Sequence, residues 1–359
     1  MPATVNVAFV GCGGMAAHYL GVYRDLDFVR VAVCIDTNLE AANRAAESVG
    51  AASSCDYPAA LSDGIDAVVI STPNSAHRPQ AIAAIEAGKH VLLQKPVAAS
   101  LSDAEAIATA AENSHRTVGL YMSYFDQPLI HDLRDLAAQG RLGNIVHYYA
   151  RLMHKGGMMW SEQALKGIRT WRGSLQETGG GCFIQLAVHF IHIFEWLSPA
   201  RIVRVAGFTR NLHSPGLEGE DLATAILEMD SGALVTLDMA WCSDDEQLSV
   251  HGTLGRVNYR NNRWLDMAST AGPFQGRVIR YSGGPVAAFG GEQGETQSME
   301  IRPPAFDDIS NPLNQHRVFL EAVRDGRPAP VSIASGVRDM RIVSAVYESA
   351  KTGRAVEVS

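Results

Sequence analysis

Much of what other function classes require is scarce in this chain. Its five cysteines (Cys12, Cys34, Cys55, Cys182 and Cys242) are scattered and show no C-x-x-C spacing. That pattern argues against a disulfide framework or a thiolate zinc site and suits free thiols in a reducing compartment. Basic residues are outnumbered, 30 Lys and Arg against 38 Asp and Glu, for a formal charge of −8. No nucleic acid and no anionic membrane is therefore expected as a partner, since both call for concentrated Lys and Arg. The most apolar stretch, Cys182–Leu197, carries Gln185, His189, His192 and Glu195 and does not read as a bilayer span. Val5–Val10 lacks the basic flank of a signal peptide and runs into glycines, so the expected location is cytoplasmic. What remains is an ordinary soluble composition, 47% hydrophobic and 19% charged, spread over 359 residues. That length exceeds one ordinary core, and two domains are expected, 1–124 and 125–359.

The two parts follow different patterns. Short Val- and Ile-rich runs at Val5–Val10, Val29–Ile35, Ala67–Ile70, His90–Leu93 and Val118–Tyr121 alternate with Ala-rich helical segments near 15–24, 38–48, 75–87 and 102–113. Continuous apolar runs suit a parallel sheet covered by helices on both faces, a doubly wound Rossmann-type α/β domain. The second part reads as α+β on a mostly antiparallel, open-faced sheet. Strands are expected at Ile145–Leu152, Ile202–Arg210, Leu222–Met229, Ala233–Trp241 and Gln247–His251, with Asp230-Ser231-Gly232 as a hairpin turn. A helix covers Pro128–Ala138, one long helix is expected over 182–197, and helices at 312–325 and 335–351 close the chain. On the open sheet Leu234, Val235, Leu237 and Trp241 are expected to form an apolar patch, through which the chain forms a homo-oligomer, a dimer or tetramer.

After the first strand comes Gly11-Cys12-Gly13-Gly14-Met15-Ala16, a G-x-G-x-x-A pattern. Gly11 permits the tight turn, Gly13 lets the backbone approach a pyrophosphate, and Ala16 lets helix and sheet pack closely. The following helix offers its N-terminal amides to phosphates. The second strand ends at Asp36, about 20 residues further on, where an acid accepts hydrogen bonds from ribose hydroxyls. A carboxylate there repels the 2′-phosphate of NADP, and no Arg follows in Thr37-Asn38-Leu39, so NAD is expected rather than NADP. The plainer reading of Asp36 is a cap for the next helix, and one carboxylate can serve both.

Beyond the fourth strand stand Ser71-Thr72-Pro73-Asn74-Ser75-Ala76-His77, then Ala87-Gly88-Lys89-His90 and VLLQKP at 91–96. A Lys-Pro pair ending a buried strand is either exposed punctuation or a lysine held at a reaction centre. The stretch resembles the Gfo/Idh/MocA family, whose members usually read TPN…H…AGKHV…EKP. The resemblance continues through Trp171-Arg172, through Gly179-Gly180-Gly181 with His189 eight residues on, and into the C-terminal Ala322–Pro330 and Tyr347–Val358. It implies a two-domain NAD(P)-dependent oxidoreductase acting on sugars, cyclitols and related alcohols. Lys95 then lies between nicotinamide and substrate. With Gly14, Met15, Thr37, Ser71, Thr72, Pro73, Asn74, His77, Gln94 and Met122 it joins Gly11, Gly13, Ala16 and Asp36 as the expected cofactor-binding set. The chemistry agrees, because oxidising a secondary alcohol needs a base for the hydroxyl proton as hydride leaves.

On the helix CFIQLAVHFIHIFEWL, Gln185, His189 and His192 share one face at i, i+4 and i+7. By the same resemblance His189 is the general base and Gln185 orients substrate, whereas His192 stays open between core residue and ligand. A metal held by these three is disfavoured, because glutamine is a poor ligand and carboxylate or thiolate support is missing. The sequence departs from the family at two central places, with Gln94 for the usual Glu and Gln185 for the usual Asp. Fewer anionic neighbours should lower the pKa values of Lys95 and His189. Tyr124, where the family often has Arg, together with His154, Trp171 and Arg172, is expected to contact a hydroxylated ring. Met158-Met159-Trp160 reads as a glycine-flanked loop, either a lid or an interface patch. Two other functions stay open. One is oxidation of a glycoside with NAD recycled in place, as in NAD-assisted glycosidic cleavage; the other is a non-catalytic NAD-binding regulator.

Overall fold

The computed structural model describes residues 4–168, 170–261, 263–282, 297–305 and 308–358. The chain divides into two compact units: Met1–Asp126 with Gln176–Gly179 and Pro304–Met340, and Gln127–Leu175 with Gly180–Pro303 and Arg341–Ser359.

The first unit is a six-stranded parallel sheet of β1 (Val5–Val10), β2 (Val29–Ile35), β3 (Ala52–Ser54), β4 (Ala67–Ile70), β5 (His90–Gln94) and β6 (Val118–Tyr121), in the order β3-β2-β1-β4-β5-β6. The order reverses between β1 and β4, the switch point at which open α/β sheets bind ligands at their carboxyl ends. Ala67–Ile70 is buried throughout and β1 nearly so, as a strand covered on both faces must be. The crossover helices are Gly14–Asp25, Leu39–Val49, Asn74–Glu86 and Leu101–Glu112. Asn38 caps the second through its side-chain oxygen, which accepts from the Glu40 and Ala41 amides, and Ser100 caps the fourth through Asp103 N–H. The penultimate helix, Gln315–Arg324, returns to this unit, where Phe319 and Leu320 join Phe9, Tyr19, Tyr23 and Tyr121 in one buried cluster.

The second unit carries β7 (Ile145–Met153), β8 (Ile202–Arg210), β9 (Leu222–Met229), β10 (Leu234–Ala240), β11 (Asp245–Gly252), β12 (Gly255–Arg260), β13 (Trp264–Ser269), the short ribbon β14 (Phe274–Gln275) with β15 (Arg280–Tyr281), β16 (Gln297–Glu300) and β17 (Val356–Glu357). Nine of them form a sheet in the order β16-β13-β12-β11-β7-β10-β9-β8-β17, antiparallel except for β7 beside β10. The turn at Asp230–Gly232 joins β9 to β10 as a hairpin. The helix Cys182–Leu197 packs against this sheet and is buried on every side, with Trp196 its one half-buried residue. Burial around the whole circumference explains its apolar composition: among the described residues one stretch, Leu175–Leu197, has the length and hydropathy of a membrane span, yet 94% of its most apolar window lies inside the fold.

Two expectations need correction. Of the four residues assigned to an exposed apolar patch, only Leu234 is exposed, at 45%, while Val235, Leu237 and Trp241 are buried. Side chains alternate along a strand, so Val235 and Leu237 turn to the opposite face from Leu234. The open face instead carries Phe208, Ile226 and Leu234 beside a polar cluster in which Asp238 accepts from Tyr149, Arg151 and Thr224. Met158, Met159 and Trp160 lie in a helix, Gly156–Leu165, and not in a loop. Good helix formers follow its two glycines, and those glycines are small because a Cβ at Gly156 would press on His154 and one at Gly157 on Trp241.

Candidate functional site

In the first unit the expected cofactor residues gather at the carboxyl ends of β1, β2, β4 and β5. Gly11 has φ of +91°, and a Cβ there would stand 2.6 Å from the backbone carbonyl of Ser71, so the chain itself demands glycine. Gly13 is different. Its φ of −73° suits any residue, and a Cβ added to it meets nothing within 4 Å among the described residues. Gly13 is the N-cap of helix Gly14–Asp25 and brings no side chain to cap it; in the first turn Ala16 N–H donates to the Gly13 carbonyl at 3.0 Å. Asp36 stands beside this loop: one carboxylate oxygen accepts from Cys12 N–H at 2.7 Å and the other from Asn38 N–H at 2.8 Å. Each oxygen keeps a lone pair for a further donor. A helix start without a side-chain cap, an unfilled glycine position and a carboxylate with spare acceptor capacity fit a dinucleotide whose ribose is unphosphorylated. Ala16 is buried as close helix–sheet packing requires, and Met15 and Thr37 are exposed.

Asn74 and His77 face inward. Asn74 donates to the Thr178 carbonyl at 2.8 Å. His77 is fully buried, with Nε2 3.0 Å from the Thr72 carbonyl oxygen and Nδ1 3.1 Å from that of Pro96. Burial holds this imidazole below its ordinary pKa. The ring ties the turn after β4 to the turn after β5, which sets Ser71, Thr72 and Pro73 beside the glycine loop.

Lys95 follows the last residue of β5 and is half-buried; its bond to Pro96 is cis. The Gln94 amide is engaged at both ends, its oxygen accepting from Lys95 N–H at 2.9 Å and its nitrogen donating to the Tyr19 hydroxyl at 3.1 Å. Tyr19 leads into a buried cluster that no sequence pattern announced. Tyr19 and Tyr121 stack on His316 with ring centroids 4.4 and 4.5 Å away, and Tyr121 donates to Asp126 at 3.1 Å. Met122 is buried and Tyr124 half-buried beside the end of β6. Asp126 also accepts from Gln315 N–H at 2.7 Å, and burial pushes its carboxyl up to about 7.

This shift has a measurable consequence. An unfolded aspartate titrates near 4, so between about pH 4 and 7 the folded chain holds a proton that the unfolded chain has released. The stabilisation is full below pH 4 and is lost as pH rises through about 7. Urea midpoints should therefore fall between pH 5.5 and pH 8 by an amount worth about 2 kcal/mol, and Asp126→Asn, which mimics the protonated carboxyl, should remove that component. Equal pH dependence in the two proteins would contradict it.

In the second unit the triple glycine opens helix Cys182–Leu197 because the approach is close: a Cβ on Gly180 would strike the Tyr347 hydroxyl, and one on Gly181 the Glu220 backbone. Glu220 caps the helix, its carboxylate accepting from Gly181 N–H and Phe183 N–H, each at 2.9 Å, and from the Tyr347 hydroxyl. Neither Glu220 nor Tyr347 was expected, since both act across large sequence separations. Gln185, His189 and His192 lie along this capped helix and are 6%, 6% and 7% exposed. His189 thus belongs to the second unit and Lys95 to the first.

His154, Trp160, Trp171 and Arg172 do come together. His154 follows β7 and takes Gly156 N–H on Nδ1; its ring lies 5.9 Å from that of Trp160, which meets Trp241 edge-on at 5.1 Å. The Arg172 guanidinium stands over Trp171 at 4.3 Å and over Trp160 at 4.6 Å, and burial lowers its pKa to about 10. Trp160 was missed as a member of this group because the helical register of 156–165 was missed. Among the described residues no three His, Cys, Asp or Glu side chains are grouped to hold a metal.

Residues 5–122 match the profile of an oxidoreductase family with an NAD-binding Rossmann fold, and residues 130–258 match the GFO/IDH/MocA C-terminal domain. The two matches together span well over half of the chain. A D-apiose dehydrogenase of Paraburkholderia graminis is 24% identical over 98% of this chain and 89% of its own length. A 1,5-anhydro-D-fructose reductase of Ensifer adhaerens is 31% identical, over 55% of this chain and 57% of its own length. The solved structure of a levoglucosan dehydrogenase in complex with NADH superposes with a TM-score of 0.83 at 19% identity, covering 99% of each chain.

Proposed function

The chain belongs to the Gfo/Idh/MocA family of oxidoreductases, and from that premise we propose that it moves a hydride between NAD and a secondary hydroxyl carbon of a sugar or cyclitol. The observation that carries this reading is Lys95 at the end of β5, on the same sheet edge as the Gly11–Ala16 loop, its backbone held by Gln94. Bound NAD supplies the hydride acceptor. The residues supply the rest. The Lys95 ammonium donates a hydrogen bond to the reacting oxygen, and His189 accepts the hydroxyl proton through a ring suited to reversible transfer near neutral pH. Gln185 orients a neighbouring hydroxyl, giving or taking a hydrogen bond where a carboxylate only accepts. His154 and Trp171 present apolar surface to a sugar ring. The names of its relatives, an apiose dehydrogenase and an anhydrofructose reductase, support a carbohydrate substrate. We place the protein in the cytoplasm and expect copies to associate through the open sheet face around Phe208, Ile226 and Leu234.

A fluorescence scan with NAD against pooled sugars, cyclitols and sugar acids tests the activity, and absence of reduced nicotinamide with every pool would remove it. Cofactor choice is tested separately. NAD should bind at least about 10-fold tighter than NADP because Asp36 accepts ribose hydroxyls and repels a 2′-phosphate. In Asp36→Ser the ratio of the two dissociation constants should fall toward one, and an unchanged ratio would assign the discrimination elsewhere.

A further inference from the structure

The bonds around Gln94 fix which end of its amide is which. Lys95 N–H can only donate, so the amide oxygen faces it at 2.9 Å, and the nitrogen points to the Tyr19 hydroxyl at 3.1 Å. The Tyr19 oxygen therefore accepts, and its own proton goes elsewhere. The Tyr19 and Tyr121 hydroxyls hydrogen-bond each other, which alters the acidity of both, and their rings meet edge-on at 5.0 Å. Tyr121 in turn donates to Asp126 Oδ2 at 3.1 Å. With one proton per hydroxyl the chain has a single direction: Gln94 donates to Tyr19, Tyr19 to Tyr121, and Tyr121 to the carboxylate. Tyr19, Tyr121 and Asp126 are 2%, 2% and 3% exposed, so bulk water does not compete for these bonds.

The far end of the chain sets that direction. Asp126 Oδ1 accepts Gln315 N–H at 2.7 Å, so a proton on this carboxyl sits on Oδ2, facing Tyr121. Tyr121 then accepts, each hydroxyl turns round, and the Tyr19 proton meets the Gln94 NH2 group, donor against donor. A glutamate at position 94, usual in the family, offers only acceptors and fits the reversed chain instead. The other titratable groups around the chain are Tyr19, Tyr23, Tyr121 and His316. They stay neutral near pH 7, because burial raises the three phenols and holds the imidazole down to about 3. All of these residues belong to the first compact unit.

We propose that Asp126 is a positioning residue for Lys95: its ionised carboxylate, acting through Tyr121 and Tyr19, holds the Gln94 amide in the orientation that fixes the Lys95 backbone. This rests on the oxidoreductase reading above and deepens it. Asp126 acts through three other side chains and not on the reacting atoms. Its protonation releases the Gln94 amide, and Lys95 loses its fixed place at the end of β5.

The test is a double-variant cycle read as kcat at pH 8.5, where Asp126 is ionised. Asp126→Asn keeps an acceptor for Gln315 N–H but turns an NH2 group toward Tyr121, and should lower kcat about 10-fold. In the Gln94→Glu background the same change should cost less than about twofold, because the reversed chain then ends on an acceptor. A merely structural loss is equal in both backgrounds, and that result would overturn the proposal. Tyr121→Phe keeps the ring and cuts the chain, so it should lower kcat by a similar factor; undiminished turnover there also counts against the proposal. A second readout needs no turnover. In the NAD-saturated protein the Gln94 side-chain amide, followed by 15N NMR, should shift with a midpoint near pH 7 and lose that response in Asp126→Asn. An unresponsive amide in a protein that reduces NAD removes the chain alone. A responsive amide in a protein that never reduces NAD leaves the chain standing and removes the oxidoreductase.

Discussion

Lys95→Ala is expected to lower kcat by about 1,000-fold, near 4 kcal/mol of transition-state stabilisation, while NAD binds within about threefold of wild type. The asymmetry follows from where the binding energy comes from. On the proposed function the loop at Gly11–Ala16 and Asp36 would hold the cofactor through backbone amides and a carboxylate, whereas Lys95 would contribute mainly when negative charge gathers on the reacting oxygen. His189→Ala should cost a similar factor. If the two side chains handle the same proton, the double variant loses much less than the product of the single losses. Full multiplicativity would separate their roles, and near-normal turnover in Lys95→Ala would move the protein toward the regulator reading. Stopped-flow measurement of NADH formation beside a fluorescence titration of NAD decides among these.

Two glycines of one loop should fail in opposite ways. Gly11→Ala places a Cβ against the Ser71 carbonyl and forces a left-handed φ on a residue that disfavours it. A loss of roughly 3 kcal/mol or more of stability is expected, about a 10 °C fall in Tm. Gly13→Ala meets nothing within 4 Å among the described residues and has an ordinary φ, so its Tm should stay within about 1 °C of wild type. Its NAD affinity should nonetheless drop on the order of 100-fold, because the added methyl occupies the space through which a pyrophosphate approaches the helix amides. Thermal melts and NAD titrations on both variants separate a glycine kept for the fold from one kept for the ligand. Unaltered NAD affinity in Gly13→Ala would place the pyrophosphate elsewhere.

The parallel sheet, its crossover helices and the glycine loop were legible because each is a local pattern. A strand buried on both faces reads as an unbroken apolar run, and β1, β2, β4 and β6 lie where those runs are. The hairpin at Asp230–Gly232 and the helix Pro128–Ala138 were readable for the same reason. Strands β12, β13 and β16 were not, since they mix Arg, Asn, Asp and Glu into half-exposed positions. Local composition also misjudged Gly156–Leu165: two leading glycines suggested a loop, whereas they accommodate His154 and Trp241.

By itself, then, the sequence determined what short-range chemistry can encode: a Rossmann-type fold, the residues around its switch point, an acid just past the second strand, and a lysine at the end of a strand. Only the tertiary structure decided which polar groups support those residues. Glu220 reaches the start of helix Cys182–Leu197 from 37 residues beyond Phe183, and Tyr347 reaches the same carboxylate from 127 residues away. Tyr19 meets Gln94 across 75 positions, and Asp126 meets Gln315 across 189. Sequence spacing carries no signal for such pairs, because folding and not proximity along the chain brings them together. The same holds for Arg172 and Trp160, twelve positions apart, whose guanidinium and indole meet at 4.6 Å.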